Sequence, residues 1–527
     1  MWESVYYYRK KEKRQQHYKQ DVLIYGATPA GITAAITLKK KGHDVRIAEC
    51  SRFVGGMTTS GLGATDLGAE QALGGLAKQF YDEIAHHYRI EKCVRFEPHV
   101  AERIFKTWLE EHEIGVQTEQ FIESVLLEDR QIQQIVMTDG TTYEAKQFID
   151  ASYEGDLLAH AGVEYIVGRE ASTVYKEIYN GVQFGAQHHK FESFIDPYIE
   201  EGNPASGLLY GISDEVVKEQ NGEGDHRIQA YNFRMCLTKE KKVPFPKPNG
   251  YERNHYALLL RYIKAGHWDA MKLHTPLMNG KTDLNNHGAF STDYIGMNYT
   301  FPDADYEVRE KMYQQHVTYV AGLLYFLAND EEVPLVIREE VRQWGLASDE
   351  FTETGNWPRQ LYIREARRMR GEYVMTEHNA LQHIICEQPI AIASFHMDSH
   401  HCRRIVINGR VMNEGDIQVP VKPFMIDLRS LLPKKEHCTN LIVPVCLSAS
   451  HIAYGSIRME PVFMILGQGA GTVAAIALQE GKAVQDILYE QIRLQLIEQG
   501  LVVEWDEAFI DDPLRRMEET FGGEIGC

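Results

Sequence analysis

Apolar side chains change period twice within the first fifty residues, and the change marks a strand, a helix and a second strand. Asp21 to Tyr25 supply a short apolar run. Gly26, Ala27, Thr28, Pro29, Ala30 and Gly31 then read as a tight turn. Ile32, Ala35, Ile36 and Leu38 recur at helical spacing, and Val45, Arg46, Ile47 and Ala48 return to a strand that ends at Glu49. This order predicts a dinucleotide-binding βαβ unit. In such a unit Gly26 lets the chain turn out of the strand and Gly31 lets the helix pack close. The exposed amides at the helix start cradle a pyrophosphate, helped by the helix dipole. Glu49 stands where a carboxylate can hold ribose hydroxyls. Thr28 occupies the place of the middle glycine in the usual G-x-G-x-x-G pattern, a departure that restricts how closely backbone and phosphate approach.

Further along, the periodicity predicts helices over residues 75–90 and 97–111. Residues 121–127, 132–137 and 141–148 read as a small antiparallel sheet, with Asp139-Gly140 as a hairpin turn. A strand ending at Asp150 would bring Asp150 and Glu154 back to the nucleotide fold. From Ala171 to about Pro423 the texture changes to many Tyr, His and Asn residues with long polar connections, which predicts an inserted substrate domain. A strand within Asn440–Ser450 and a glycine-bearing helix opening near Glu460-Pro461 return the chain to apolar texture. The expected division is an extension over 1–19, nucleotide-domain segments over 20–170 and 424–485, the inserted domain over 171–423, and a helical tail over 486–527. The alternative for the late helix is an ordinary buried core helix.

With 527 residues the chain has room for several domains, and its 44% hydrophobic content is ordinary for a globular protein. A formal net charge of −20 argues against nucleic acid or an anionic membrane as the main partner. Cys50, Cys93, Cys236, Cys386, Cys402, Cys438, Cys446 and Cys527 form no C-x-x-C pair, so neither a zinc or iron–sulfur site nor a disulfide framework is expected. Scattered thiols suit a reducing cytoplasm. The basic, aromatic N-terminus lacks the apolar core of a secretory signal and reads as a frayed or surface-docked extension. The most apolar stretch, Val462 to Leu478, is broken by Gln468 and several glycines, so no membrane span is expected.

Four stretches can carry chemistry. The Gly- and Thr-rich loop Ser51–Gly68 suits backbone running along an extended cofactor, against the alternative of a plain surface loop. Asn232 to Thr238 alternates like a strand and puts Arg234 on one face. Tyr362 to Asn379 reads as beginning in a helix that puts Arg364, Arg367 and Arg368 on one face, able to bind a carboxylate or phosphate. The competing reading is a solvated face paired with Glu365. His396, Asp398, His400 and His401 crowd into six residues. They could bind a metal, form a polar loop, or act as an acid/base pair with Asp398 orienting a histidine. Their spacing fits no metal pattern, and no metal is expected.

The stretches YGATPAGITAA, ECSRFVGGMTTSGLGATD, FIDASYEGDLLAHAG, YIREARRMRGEYVMTEHN, FHMDSHH and VPVCLSASHIAYGSIRMEPVFMILGQGAGT occur in order between Asp21 and about Gly481. With them the chain resembles the bacterial FAD-dependent oxidoreductases of the FAD-oxidored family, distantly similar to the fumarate reductase and succinate dehydrogenase flavoproteins. The resemblance implies an α/β fold: a Rossmann-like, glutathione-reductase-like FAD-binding domain built from both ends of the chain, with an inserted α+β substrate domain. It implies that Gly26, Thr28, Pro29, Ala30 and Gly31 hold the pyrophosphate, and Glu49 the adenosine ribose. Gly55, Gly56, Met57 and Thr58 would run along the flavin, Asp150 would lie near the cofactor, and Gly469 and Ala470 would bring amides to the pyrimidine end of the ring. Thr28 is ordinary within that family.

The reading is a cytoplasmic FAD-dependent oxidoreductase acting on a small molecule, with no nucleic-acid or membrane partner. Hydride would pass between flavin N5 and an alcohol, amine or activated alkene. His396 or His400 would be the acid/base, Asp398 its orienter, and Arg364, Arg367 and Arg458 anion binders, with His451 a further possibility. Two rivals are an NAD-dependent dehydrogenase without flavin, and a flavin binder with a non-redox or RNA-modifying role.

Overall fold

The computed structural model describes residues 3–269 and 275–505. Its centre is a seven-stranded sheet. Strand β1 (His17–Tyr25), β2 (Val45–Ala48), β3 (Gly115–Gln117), β4 (Ile122–Glu128), β5 (Gln131–Met137) and β6 (Thr142–Asp150) lie in the order β3-β2-β1-β6-β5-β4. The short strand Leu441–Ile442 pairs in parallel with the C-terminal half of β6, so the far end of the chain completes the N-terminal sheet. The residues expected to form a small separate antiparallel sheet belong instead to this one. β6 runs parallel to β1 along its length, while its N-terminal half also carries the antiparallel β5–β4 hairpin.

Register explains the position of the nucleotide turn. Tyr25 pairs with Ala48 on one side and Asp150 on the other. Gly26, Glu49 and Ala151 therefore leave the sheet side by side at its carboxyl edge, the place where parallel α/β sheets bind ligands. Helix α1 (Pro29–Lys40) packs on the long helix Glu460–Glu480. Contact is close because the positions facing α1 are small: a Cβ on Gly467 would lie 2.1 Å from the Ala30 carbonyl oxygen. Thr33 Oγ1 also donates to the Met464 carbonyl at 2.8 Å. The Glu460–Glu480 helix is long and apolar enough to cross a membrane, but 94% of its most apolar window is buried within the molecule, as a core helix would be.

Helices α2 (Gly75–Tyr88) and α3 (Pro98–Glu111) lie where the periodicity places them. Residues 171–423 carry a four-stranded sheet in the order Lys281–Leu284, Met235–Thr238, Gly345–Ala347, Lys242–Val243, together with the helix Tyr306–Asn329 and two two-stranded ribbons. Pairings cross both expected domain boundaries: Tyr165–Ile166 with Arg368–Met369, and Pro389–Ala393 with Phe424–Asp427. The N-terminal extension is tied down. His17 to Gln20 already belong to β1, and Tyr7 and Tyr8 donate their amides to Glu310 Oε2 at 2.7 and 2.8 Å. Of the expected C-terminal helical segment, Tyr489–Glu498 is a helix, and residues 506–527, with Cys527, lie outside the described residues.

Candidate active site

The nucleotide turn is held by Thr28. Its backbone is extended, its side chain caps α1 by accepting from the Gly31 amide at 3.3 Å, and its hydroxyl donates to the Ala151 carbonyl at 2.7 Å. With φ −70° the position does not require glycine for its backbone conformation. The two glycines flanking it are needed. Gly26 has φ +107°, and a Cβ there would lie 2.7 Å from Ala151 C. A Cβ on Gly31 would lie 1.9 Å from the Gly26 carbonyl oxygen. Gly31 thus closes the turn on itself more than it brings the helix to the sheet.

Glu49 is buried, and burial raises its pKa. Its carboxylate accepts the Ala27 amide at 2.5 Å and the Ser51 amide at 2.6 Å, which spans the turn and the start of the glycine loop. Gly55, at φ +92°, donates its amide to the Ala27 carbonyl at 2.7 Å and folds that loop back over the turn. Backbone without side chains at the end of β1, a helix start and a buried carboxylate at the end of β2 form a donor and acceptor set that fits the pyrophosphate and ribose of FAD.

Other expected FAD residues are engaged within the protein. Asp150 accepts from the Ser152 hydroxyl at 2.6 Å and the Leu158 amide at 2.9 Å, so it shapes the loop after β6; burial raises its pKa to about 6. The Met57 amide donates to the Tyr153 hydroxyl at 3.0 Å, and the Thr58 hydroxyl to Glu460 at 2.7 Å. Gly469 and Ala470 correct the sequence reading. They lie inside the Glu460–Glu480 helix, where amides bond carbonyls four residues back. Gly469 instead makes room for Ile390, which a Cβ would meet at 2.6 Å. The helix's free amides are at its start, near Glu460.

Where the glycine loop meets the strand Met235–Thr238 and its neighbours, the structure gathers a second set of residues. A Cβ on Gly61 would lie 2.1 Å from the Arg234 carbonyl oxygen, and the Ala64 amide reaches Asp283 Oδ2 at 3.3 Å. Arg234 pairs with Asp283. Asp398, on the short strand Met397–Ser399, is the hub: Arg458 Nη2 lies at 2.6 Å, His400 Nε2 at 3.2 Å and His396 Nε2 at 3.5 Å. Against the cost of burial, His400, His396 and Arg458 hold its carboxyl well below the usual range. His400 Nδ1 lies 3.1 Å from Asp293, which also pairs with Arg364 at 2.9 Å. Burial opposes ionisation of Asp293, yet Arg364 and His400 bring its pKa down to about 2.

The expected arginine face does not exist. Residues 362–367 are not helical, and the three arginines diverge. Arg364 joins the histidine cluster, whereas Arg368 pairs with Glu170 and Glu365. Arg367 pairs with Asp156 at 2.7 Å and Asp303 at 3.1 Å, so it joins the inserted domain to the loop after β6 and is no anion binder of this cluster. The chain here is irregular up to the short strand Arg368–Met369, so the helical spacing does not hold and each arginine meets a different carboxylate. His451 is held between Glu365 at 2.8 Å and Ser399 Oγ at 3.1 Å, behind the cluster. His401 bonds the His189 carbonyl at 3.0 Å. Asp293 and the pairing of Tyr153 with Glu460 escaped the sequence reading, since their partners lie far along the chain. Glu97, His99 and Glu350 lie close enough to share an ion, but Lys281 already bridges Glu97 and Glu350 at 2.7 Å each.

The family model for FAD dependent oxidoreductases matches residues 21–496. No curated protein matches the chain. Among solved structures, THI4 of Thermovibrio ammonificans is 20% identical over 31% of this chain and 71% of its own, with a TM-score of 0.24. The bacillithiol disulfide reductase Bdr of Staphylococcus aureus is 18% identical over 26% of this chain and 38% of its own, with a TM-score of 0.19. A 3-ketosteroid-Δ4-(5α)-dehydrogenase of Rhodococcus jostii is 13% identical over 28% of this chain and 49% of its own, with a TM-score of 0.20. For the last two the matched stretch is under two thirds of the other chain, and overlaps this partial say nothing of activity. The family match spans the sheet, the turn and the residues between them and the C-terminal helix, and the chain belongs to the FAD-dependent oxidoreductase family, an enzyme whose cofactor is FAD.

Proposed function

We propose that the enzyme transfers hydride between flavin N5 and a small organic substrate, an alcohol, an amine or an activated alkene, at the cluster around Asp398. The supporting observation is that Asp398 contacts His396, His400 and Arg458 at once, where the inserted domain abuts the glycine loop. Bound FAD supplies a two-electron acceptor or donor. The protein's share is to orient the substrate, exclude water and manage one proton. Asp398 orients both imidazoles; His400 has both ring nitrogens on carboxylates, so His396 is the residue that takes the proton from the substrate heteroatom or returns it. Arg364 and Arg458 steady negative charge that develops there. FAD itself would lie along the Gly26–Gly31 turn, Glu49 and the glycine loop Gly55–Thr58, with Asp150 shaping the loop beside it. Membership in the FAD family sets aside the flavin-free NAD dehydrogenase.

The test is an anaerobic screen of small alcohols, amines and activated alkenes against the yellow protein, reading the flavin absorbance band. Bleaching by one substrate class, or reoxidation of chemically reduced protein by an alkene, supports the reading. No redox change with any class overturns it.

A further inference from the structure

The cluster around Tyr362 contains polar atoms that the protein itself leaves unbonded. Arg364 is 1% exposed and its Nε has no hydrogen-bond partner. Arg234 is 5% exposed and its Nη1 has none. Asn232 is fully buried; its amide nitrogen donates to Asn285 and Thr292, while its Oδ1 accepts nothing. Buried polar groups are nearly always bonded, because stripping water from a lone donor or acceptor costs about 1–3 kcal/mol, more for a charged group. Several such atoms in one place call for a ligand.

All three residues adjoin Tyr362. The guanidinium carbon of Arg364 lies 4.6 Å from the Tyr362 ring centroid, and that of Arg234 lies 5.4 Å from it. The Tyr362 hydroxyl lies close enough to Arg458 to support its charge. Asn232 and Tyr362 are backbone neighbours, the Tyr362 amide donating to the Asn232 carbonyl at 2.8 Å. Asn285 Oδ1 is shared by Asn232 and Arg364 at 3.2 and 3.3 Å. His400 adjoins through Asp293.

The chemistry of the unbonded set is specific. Two guanidinium N–H groups on different arginines suit an anionic oxygen pair. A buried amide oxygen suits a hydroxyl or amine proton. We propose that this site takes a small carboxylate whose neighbouring carbon bears a hydroxyl or amine, a 2-hydroxy or 2-amino acid. The inference rests on the hydride-transfer reading above. The carboxylate lies against Arg364 and Arg234, and the hydroxyl or amine against Asn232. On oxidation the C–H pair of electrons leaves with the hydride to FAD. The heteroatom proton, held toward Asn232 Oδ1 on binding, turns to the His396 imidazole as the hydride leaves, and a 2-oxo or 2-imino acid remains.

The experiment uses FAD-loaded protein with acetate, glycolate, lactate, alanine and ethanol as probes. Binding is read by perturbation of the flavin absorbance and by Tm, and reaction by anaerobic bleaching. Acetate should bind without bleaching, ethanol should do neither, and one of the hydroxy or amino acids should bind and bleach. Arg364→Gln should keep its FAD and weaken acetate binding about 10- to 100-fold, with partial recovery in Arg364→Lys. Arg234→Gln is the second variant if the first does not fold. Equal acetate binding by parent and a folded variant overturns the site. Bleaching by uncharged substrates alone overturns the carboxylate while leaving hydride transfer intact, and an absence of redox change with every class sinks the earlier reading as well.

Discussion

The Tyr153 hydroxyl donates to Glu460 at 2.8 Å, a bond between residues 307 positions apart in the chain. Glu460 opens the C-terminal helix, Tyr153 follows β6, and the Thr58 hydroxyl binds the other carboxylate oxygen. One buried side chain thus joins the glycine loop, the return from the sheet and the late helix.

This acid makes stability depend on pH. Burial raises the Glu460 pKa to about 7, with the Thr58 and Tyr153 hydrogen bonds opposing the shift. An acid whose folded pKa exceeds its unfolded value of about 4.3 binds its proton more tightly in the native chain. Its stabilisation is complete below the unfolded value and is lost as pH rises through about 7. Glu460→Gln should therefore show a shallower fall in Tm between pH 5 and 8 than the parent. Asp150 and Asp416, whose pKa values burial raises to about 6 and 8, contribute equally in both proteins. Parallel Tm–pH curves would contradict the assignment.

Gly31→Leu should abolish FAD retention. Its first side-chain atom would lie 1.9 Å from the Gly26 carbonyl oxygen, so the turn itself must open. The purified variant should be colourless, and full yellow colour in a folded variant would count against the placement of the pyrophosphate. Thr28→Gly should keep the cofactor but lose the cap of α1, at about 1 kcal/mol or less, read by denaturant titration.

His396→Ala and His400→Ala should both fold with FAD bound. At least one should lose reduction by substrate by about 10²-fold, measured by stopped-flow flavin bleaching. Arg367→Gln separates chemistry from architecture. Its ion pairs with Asp156 and Asp303 lie outside the cluster, so Tm should fall while the reduction rate of folded protein stays near the parent's.

Removing residues 3–8 should loosen the junction between the nucleotide sheet and the inserted domain. Tyr7 reaches Glu154 at 3.3 Å and receives Arg309 Nη1 at 3.2 Å, and its ring packs against Phe121 and Phe301 at 5.7 and 5.8 Å. The Val5 carbonyl accepts from Gln314 at 2.7 Å. The truncated chain should melt several degrees lower and be cut faster by protease. An unchanged Tm would reduce this segment to a passive surface strand.

The nucleotide unit was legible in the sequence because its determinants are local. Strand period, turn glycines, helix period and terminal carboxylate all fall between Asp21 and Glu49, and each acts within one or two elements. The helices near Gly75 and Pro98, the Asp139-Gly140 hairpin and the long helix at Glu460 were legible for the same reason. The histidine cluster was visible as a cluster, but not all of its partners were. Arg458 was expected with it, but Asp293 and Gln229 reach it from far along the chain, and no spacing rule connects residues that only folding brings within 3.5 Å. The arginine stretch failed because its charge spacing imitates a helix face, while its backbone is irregular and bonded elsewhere: the Tyr362 amide pairs with Asn232. Period can reveal which local structure a segment prefers. Where each side chain ends depends on competing long-range pairs, and for Arg364, Arg367 and Arg368 three different buried carboxylates made that choice.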